Sequence, residues 1–184
     1  MTNRKVHEQD SRYSSPWGWQ YRLRILLWEY TWPLLCRWTP KPCNPWRLMI
    51  LRLFGTKVHG RPFVHQRANI DHPWNLILHD RACLGDQTHA YCLGKVEIRE
   101  GACVAQEAYL CTGTHDFSDP VWPLATESIE IGAGAFIGAR AFVMPGIKIG
   151  RRAIVGACSV VTKDVPQEVV VKGNPARTQS RIGD

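Results

Sequence analysis

The chain has 184 residues, 45% of them hydrophobic and 21% charged, which suits one domain with a packed core and excludes a disordered chain. Its formal charge of +7 sits at one end: residues 1–58 hold ten Lys/Arg against three Asp/Glu, and the remainder is balanced. Six of the eight Trp also precede residue 47, so a basic, Trp-rich extension is followed by an electrically neutral body.

Seven cysteines (Cys36, Cys43, Cys83, Cys92, Cys103, Cys111 and Cys158) make an odd number, without CxxC or zinc-knuckle spacing. Residues 1–16 are polar and charged, unlike a secretory signal. A reduced, cytoplasmic protein with mostly buried, inert thiols is therefore expected. Residues 17–54 predict one or two short helices, broken at Pro33, Pro40, Pro42 and Pro45. The apolar runs 25–28 and 32–36, interrupted by Glu29 and Pro33, fall far short of the roughly 18 residues of a membrane span. Two uses of this Trp/Leu/Arg mixture stay open. It suits a helix lying on an anionic membrane, and equally a cap over the end of the body or a clasp on a neighbouring subunit. Nucleic-acid binding is not expected, because the basic residues are interleaved with large apolar ones and no nucleic-acid motif is present.

The body is organised by a six-residue period. From Ile131 the chain reads IGAGAF, IGARAF, VMPGIK, IGRRAI, VGACSV, VTKDVP. An aliphatic residue leads each block (Ile131, Ile137, Val143, Ile149, Val155, Val161), and a small or aliphatic one fills the fifth place (Ala135, Ala141, Ile147, Ala153, Ser159, Val165). The frame extends upstream through Leu78, Leu84, Ala90, Ile98, Val104 and Leu110, and more weakly to Val58, Val64 and Ile70. Six residues are too few for a helical repeat. They suit a parallel β-helix of triangular section, in which three hexapeptide sides complete a coil and the leading residue fills the interior. Glycine at the second place is read as relieving the backbone where it turns. The steps depart from six at 70→78, 90→98 and 110→131, all at the same corner, and the last adds residues 116–130 as a protruding loop. Insertions gathered on one face point to the binding face.

His115 ends the Leu110 hexapeptide immediately before that loop, in the run Cys111-Thr112-Gly113-Thr114-His115-Asp116-Phe117-Ser118-Asp119. By position it is a general base working near neutral pH or a plain surface histidine at a loop base. The repeats, with CTGTHDFSDP, IGAGAFIGARAFVMPGIKIG, VVTKDVP, KGNPA and the LRLFG at 51–55, closely resemble the hexapeptide-repeat acyltransferases. Within these, the sequence is most similar to the colanic-acid-biosynthesis-type acetyltransferases. The resemblance covers residues 45–178 and implies an all-β fold, a left-handed parallel β-helix with a short helical N-terminal extension. It further implies a homotrimer with active sites between adjacent subunits, acetyl-CoA as acyl donor, and no metal requirement. His115 then takes the proton from the acceptor hydroxyl. Asp116 and Asp119 are candidates for binding a sugar or orienting the base, against a solvated or structural role. Ala139 and Ala157, eighteen residues apart and thus stacked on one corner, are implied to let the pantetheine arm lie against the backbone. Thr162, Lys163 and Arg177 match positions contacting the nucleotide end, where cations suit its phosphates. Phe136 is a departure, since relatives often carry Trp there.

The resulting expectation is an acetyl-CoA-dependent O-acetyltransferase on a sugar hydroxyl, in exopolysaccharide or lipid-linked glycan assembly. An N-acyltransferase on an amino or nucleotide sugar is the enzymatic alternative, and a structural β-solenoid the non-enzymatic one. Zinc carbonic anhydrases share the left-handed β-helix but need three metal-binding histidines. Here His59, His65, His72, His79 and His89 precede His115, none follows it, and that family's close pair is missing. Outward Cys83 and Cys103, continued by Phe136 and Ile154, predict an apolar stripe for subunit contact. The expected division is a basic helical extension over 1–57, the β-helix over 58–166 with its loop 116–130, and a C-terminal segment over 167–184. The expected setting is cytoplasmic, with the inner face of the membrane as a peripheral contact for residues 17–54.

Overall fold

From Lys57 onward the hexapeptides close into a triangular prism, a left-handed parallel β-helix. It is seen in a computed structural model that describes residues 4–11 and 13–183; residues 1–3, 12 and 184, the outermost parts of the expected flanking segments included, lie outside the described residues. Face I carries Lys57–Val58, Leu76–Leu78, Val96–Ile98, Ile129–Ile131 and Lys148–Ile149. Face II carries Phe63–Val64, Cys83–Leu84, Cys103–Val104, Phe136–Ile137, Ile154–Val155 and Val169–Lys172, and face III carries Asn69–Ile70, His89–Tyr91, Tyr109–Cys111, Phe142–Val143 and Val160–Val161.

The leading residues of successive coils are register partners: Leu78, Ile98, Ile131 and Ile149 on face I, for example, and Ala90, Leu110, Val143 and Val161 on face III. They are buried along with the fifth-place residues and form one continuous core down the prism axis. All three longer steps run from face III to face I, so the insertions do share a corner.

The second-place glycines have a different cause from the expected one. Gly85, Gly132, Gly138, Gly150 and Gly156 do not lie in the left-handed region; that conformation falls two places later, at Arg81, Gln87, Glu107, Arg140, Arg152 and Cys158. A Cβ on Gly132 or Gly138 would instead sit 2.6 Å from the amide nitrogen of Arg151 or 2.5 Å from that of Ala157. The glycine is required because the next coil passes too close for any side chain.

Helix α1 (Trp19–Leu35) contains Pro33 instead of ending at it. Proline leaves a carbonyl one turn earlier without its amide partner. That carbonyl belongs to Glu29, on the exposed side, where water can reach it. The opposite side is pinned by the indole N–H of Trp28 to the Ile70 carbonyl and that of Trp32 to the Ala68 carbonyl at 2.9 Å. Helix α2 (Asn44–Leu53) begins with Pro45 in its first turn, where the missing N–H costs nothing. Together the helices occupy the open edge of the first coil. Asn44 donates to the Pro62 carbonyl at 2.8 Å and accepts from the Val64 amide at 3.0 Å. Arg47, fully buried, donates to the Val64 carbonyl at 2.9 Å and to Thr39, Pro40 and Lys41 oxygens. The edge is thereby satisfied by side chains.

Three further expectations change. Within 116–130, Leu124–Thr126 is a strand and Ile129–Ile131 already belongs to face I, so the projecting part is shorter. Val169–Lys172 continues face II in parallel with Ile154–Val155, which carries the prism past residue 166, and Arg177–Arg181 folds back antiparallel on it. Of the thiols, Cys36 and Cys92 are buried, and burial pushes both above the ordinary range. Cys43, Cys83, Cys103 and Cys111 are half-buried and Cys158 is exposed, because they occupy outward or turn positions of the extension and coils.

Candidate active site

The strand Gly113–His115 leaves the prism at the face III–I corner and pairs antiparallel with Leu124–Thr126, setting His115 opposite Leu124. Gly113 is needed at its root, since a Cβ there would meet the Leu93 and Tyr91 side chains at 2.8 and 2.9 Å. His115 Nδ1 lies 2.8 Å from the Trp122 carbonyl oxygen. A carbonyl can only accept, so Nδ1 carries a proton, and in the neutral ring the lone pair is on Nε2. The ring is exposed, with the Phe117 ring beside it and Trp122 packed edge-on against Phe117.

Asp116 and Asp119 are used within the hairpin. Asp116 accepts from the Ser118 hydroxyl at 2.6 Å and its amide at 3.1 Å and faces Arg4 at 3.3 Å; these bonds hold its carboxyl below the usual range. Asp119 accepts from the Val121 amide at 2.8 Å. Neither is bonded to His115, so the ring is oriented by a backbone carbonyl. A third strand, Lys5–Val6, pairs with Leu124–Thr126, and Gln9 accepts from the Leu124 amide at 2.7 Å. This N-terminal buttress carries no local signature in the sequence.

Lys163 and Arg177 line one hollow of about 320 Å³ at the C-terminal end of the prism. Thr162 is exposed beside Lys163 at the face III–I corner, the corner that also bears His115. Ala139 and Ala157 stack as expected, with the Cys158 amide donating to the Ala139 carbonyl at 2.9 Å, but at the face II–III corner. The site residues of one chain thus fall on two corners separated by face III. A larger hollow of about 580 Å³, lined by Arg99, Glu130, Lys148 and Arg151 among others, holds none of them.

Residues 128–163 match the bacterial transferase hexapeptide family (six repeats). An Escherichia coli K12 protein described as "Putative colanic acid biosynthesis acetyltransferase WcaF" is 35% identical over 168 residues, covering 90% of this chain and 92% of its own. The chain belongs to the hexapeptide-repeat acetyltransferases. Among solved structures, a maltose O-acetyltransferase from Clostridium difficile 630 superposes with a TM-score of 0.77 at 24% identity, over 91% of this chain and 90% of its own. A hexapeptide-repeat acetyltransferase from Vibrio cholerae, in complex with acetyl coenzyme A, superposes with a TM-score of 0.80 at 19% identity, over 92% and 93%.

For a hexapeptide-repeat acetyltransferase, one further feature escaped sequence reasoning. Between α1 and face III runs a groove of about 510 Å³ whose walls include Trp17, Trp28, Asp71, His72, His89 and Tyr91. His89 Nε2 lies 2.8 Å from an Asp71 carboxylate oxygen. Both ring nitrogens of the buried His72 lack a hydrogen-bond partner among the described residues, and burial lowers its pKa. Tyr91, in the groove wall, also touches the root of the His115 strand. In the sequence these histidines figured only as zinc candidates. Among the described residues no group of three His, Cys, Asp or Glu is placed to hold a metal ion. His65, His79 and His89 each face a carboxylate instead.

Proposed function

We propose that the protein transfers the acetyl group of acetyl-CoA to a sugar hydroxyl in the assembly of an exopolysaccharide or lipid-linked glycan, in the cytoplasmic compartment where acetyl-CoA is made. The observation that carries this reading is the His115 Nδ1–Trp122 carbonyl bond at 2.8 Å, which leaves Nε2 of the exposed, neutral ring as a proton acceptor. Nε2 takes the acceptor proton as the oxygen attacks the thioester carbonyl. A backbone N–H on a neighbouring coil stabilises the tetrahedral oxyanion. Collapse breaks the C–S bond, and the imidazolium returns its proton to the departing thiolate, giving the ester and free CoA.

The full-length likeness to a protein described as a colanic acid biosynthesis acetyltransferase supports a glycan acceptor. The groove supports it too: flat indole and phenol faces suit the apolar face of a sugar ring, and Asp71 and His89 suit its hydroxyls. Ala139 and Ala157 of one subunit would flank the pantetheine arm. Thr162, Lys163 and Arg177 would hold the nucleotide end. Because these groups and His115 occupy two corners, a complete site needs two chains, which supports the homotrimer.

Replacing His115 with Ala should lower kcat by at least ~10² with little change in acetyl-CoA KM. Near wild-type turnover with the true acceptor would overturn the assignment. Mass spectrometry with mild alkaline treatment separates the two acceptor classes, since an ester is cleaved and an amide survives.

A further inference from the structure

The helical hairpin that caps the prism is apolar on both sides. The inner side of α1 (Tyr21, Ile25, Trp28, Trp32) is partly or fully buried, with both tryptophans bonded to the first coil. Trp19, Leu23, Leu26, Leu27, Tyr30 and Leu34 recur at three- and four-residue steps along the other side, and all are exposed: Trp19 at 73%, Tyr30 at 64% and Leu34 at 66%. The surface continues onto α2. The Trp46 indole donates to the Leu35 carbonyl at 2.9 Å, and exposed Met49 and Leu53 follow Trp46 one and two turns on. An outward apolar stripe of this extent on a monomeric surface marks an interaction site.

Its charges say what the site takes. Arg22, Arg37, Lys41 and Arg52 are all exposed on these two helices and their connection, and Glu29 is the sole carboxylate in residues 17–54. Three exposed tryptophans, Trp19, Trp38 and Trp46, add rings with an apolar body and one polar edge. No described helix is long and apolar enough to cross a membrane, so this surface can only lie flat. A second copy of the chain is a poor occupant, because it would bring the same four cations against these four. An uncharged stripe for contact between copies is available elsewhere, on face II.

We propose that the outward face of the α1–α2 hairpin docks on the surface of an anionic lipid bilayer. The leucines and tryptophans enter the headgroup boundary while the arginines and the lysine meet the lipid phosphates. The inner side of the same hairpin caps the prism, so docking requires no rearrangement of the core.

Full-length protein would be sedimented with vesicles of phosphatidylcholine alone and of phosphatidylcholine mixed with phosphatidylglycerol. Binding to the mixed vesicles, weakened by salt, and none to the neutral ones is expected. Leu27→Asp with Leu34→Asp should abolish it. Arg22→Gln with Arg52→Gln should weaken it about thirtyfold, at the usual contribution of a cation near such a surface. Both variants alter exposed side chains, so the melting temperature and the turnover of acetyl-CoA with a soluble acceptor should stay at wild-type values. That turnover reads the acetyltransfer separately from the docking. Failure of the wild-type protein to bind mixed vesicles, or undiminished binding by the Asp variant, would overturn the proposal. So would a higher-order assembly in lipid-free solution that the Asp variant dissolves, since the face would then be covered by another copy.

Discussion

A single hydrogen bond determines which nitrogen of His115 can act, and it comes from a main-chain carbonyl seven residues on, not from a carboxylate. As the proposed base, His115 therefore keeps this tautomer only while the hairpin is closed. At the proposed donor end stand Lys163 and Arg177, two exposed cations around one hollow. Removing either should raise the KM for acetyl-CoA by roughly tenfold, corresponding to a charge-assisted hydrogen bond of ~1.5 kcal/mol. The effect should shrink with acetyl-pantetheine, which has no 3′-phosphate, and should spare the acceptor KM. Steady-state kinetics with both donors checks this; weakened acceptor binding with donor affinity intact would reverse the two ends of the site.

At the scale of the element, the coil is set by contacts between backbones. Gly138 is confined by the Ala157 amide nitrogen, 2.5 Å from where a Cβ would stand. Gly138→Ala should therefore destabilise the protein by about 1–3 kcal/mol, as overpacking does elsewhere. Gly18→Ala, whose Cβ would meet nothing within 4 Å, is the matched control. Urea denaturation of the two variants makes the comparison, and equal midpoints would show that the coils can part at no cost. The helical hairpin illustrates another element-scale rule. A solenoid's first coil exposes unpaired backbone groups, and here Asn44, Arg47, Trp28 and Trp32 supply their partners from side chains.

Across the whole molecule, the three outward faces differ in chemistry. Face I shows Lys57, Glu97, Glu130 and Lys148, fit for water. Face II shows Phe63, Cys83, Cys103, Phe136 and Ile154 in one line. Phe136, 42% exposed in the single chain, sits between Cys103 and Ile154 in that line. If the proposed trimer forms through this line, Phe136→Asp should give monomers by analytical ultracentrifugation and remove most of the activity, because the two corners would no longer meet. A monomeric variant with full turnover would contradict a site shared between chains.

The period of six, the strand register and the corner that collects the insertions were all legible in the one-dimensional pattern. The reason is that each coil contacts only its neighbours, so every interior position repeats at a fixed interval. The place of His115 at the inserted corner followed from the same counting; its role came from the resemblance, not from spacing. Tertiary structure decided the rest. Arg47 reads as one more charge in a basic run, yet it is buried among carbonyls of the first coil and the α1–α2 connection. Asp71, which no motif singled out, and His89, weighed only against a zinc site, become a hydrogen-bonded pair in a groove. The strand that buttresses the His115 hairpin comes from the extreme N-terminus, and His7 bonds Thr126 across 119 residues. The Arg47 and N-terminal contacts join segments that share no period, and a local pattern encodes only what the chain repeats.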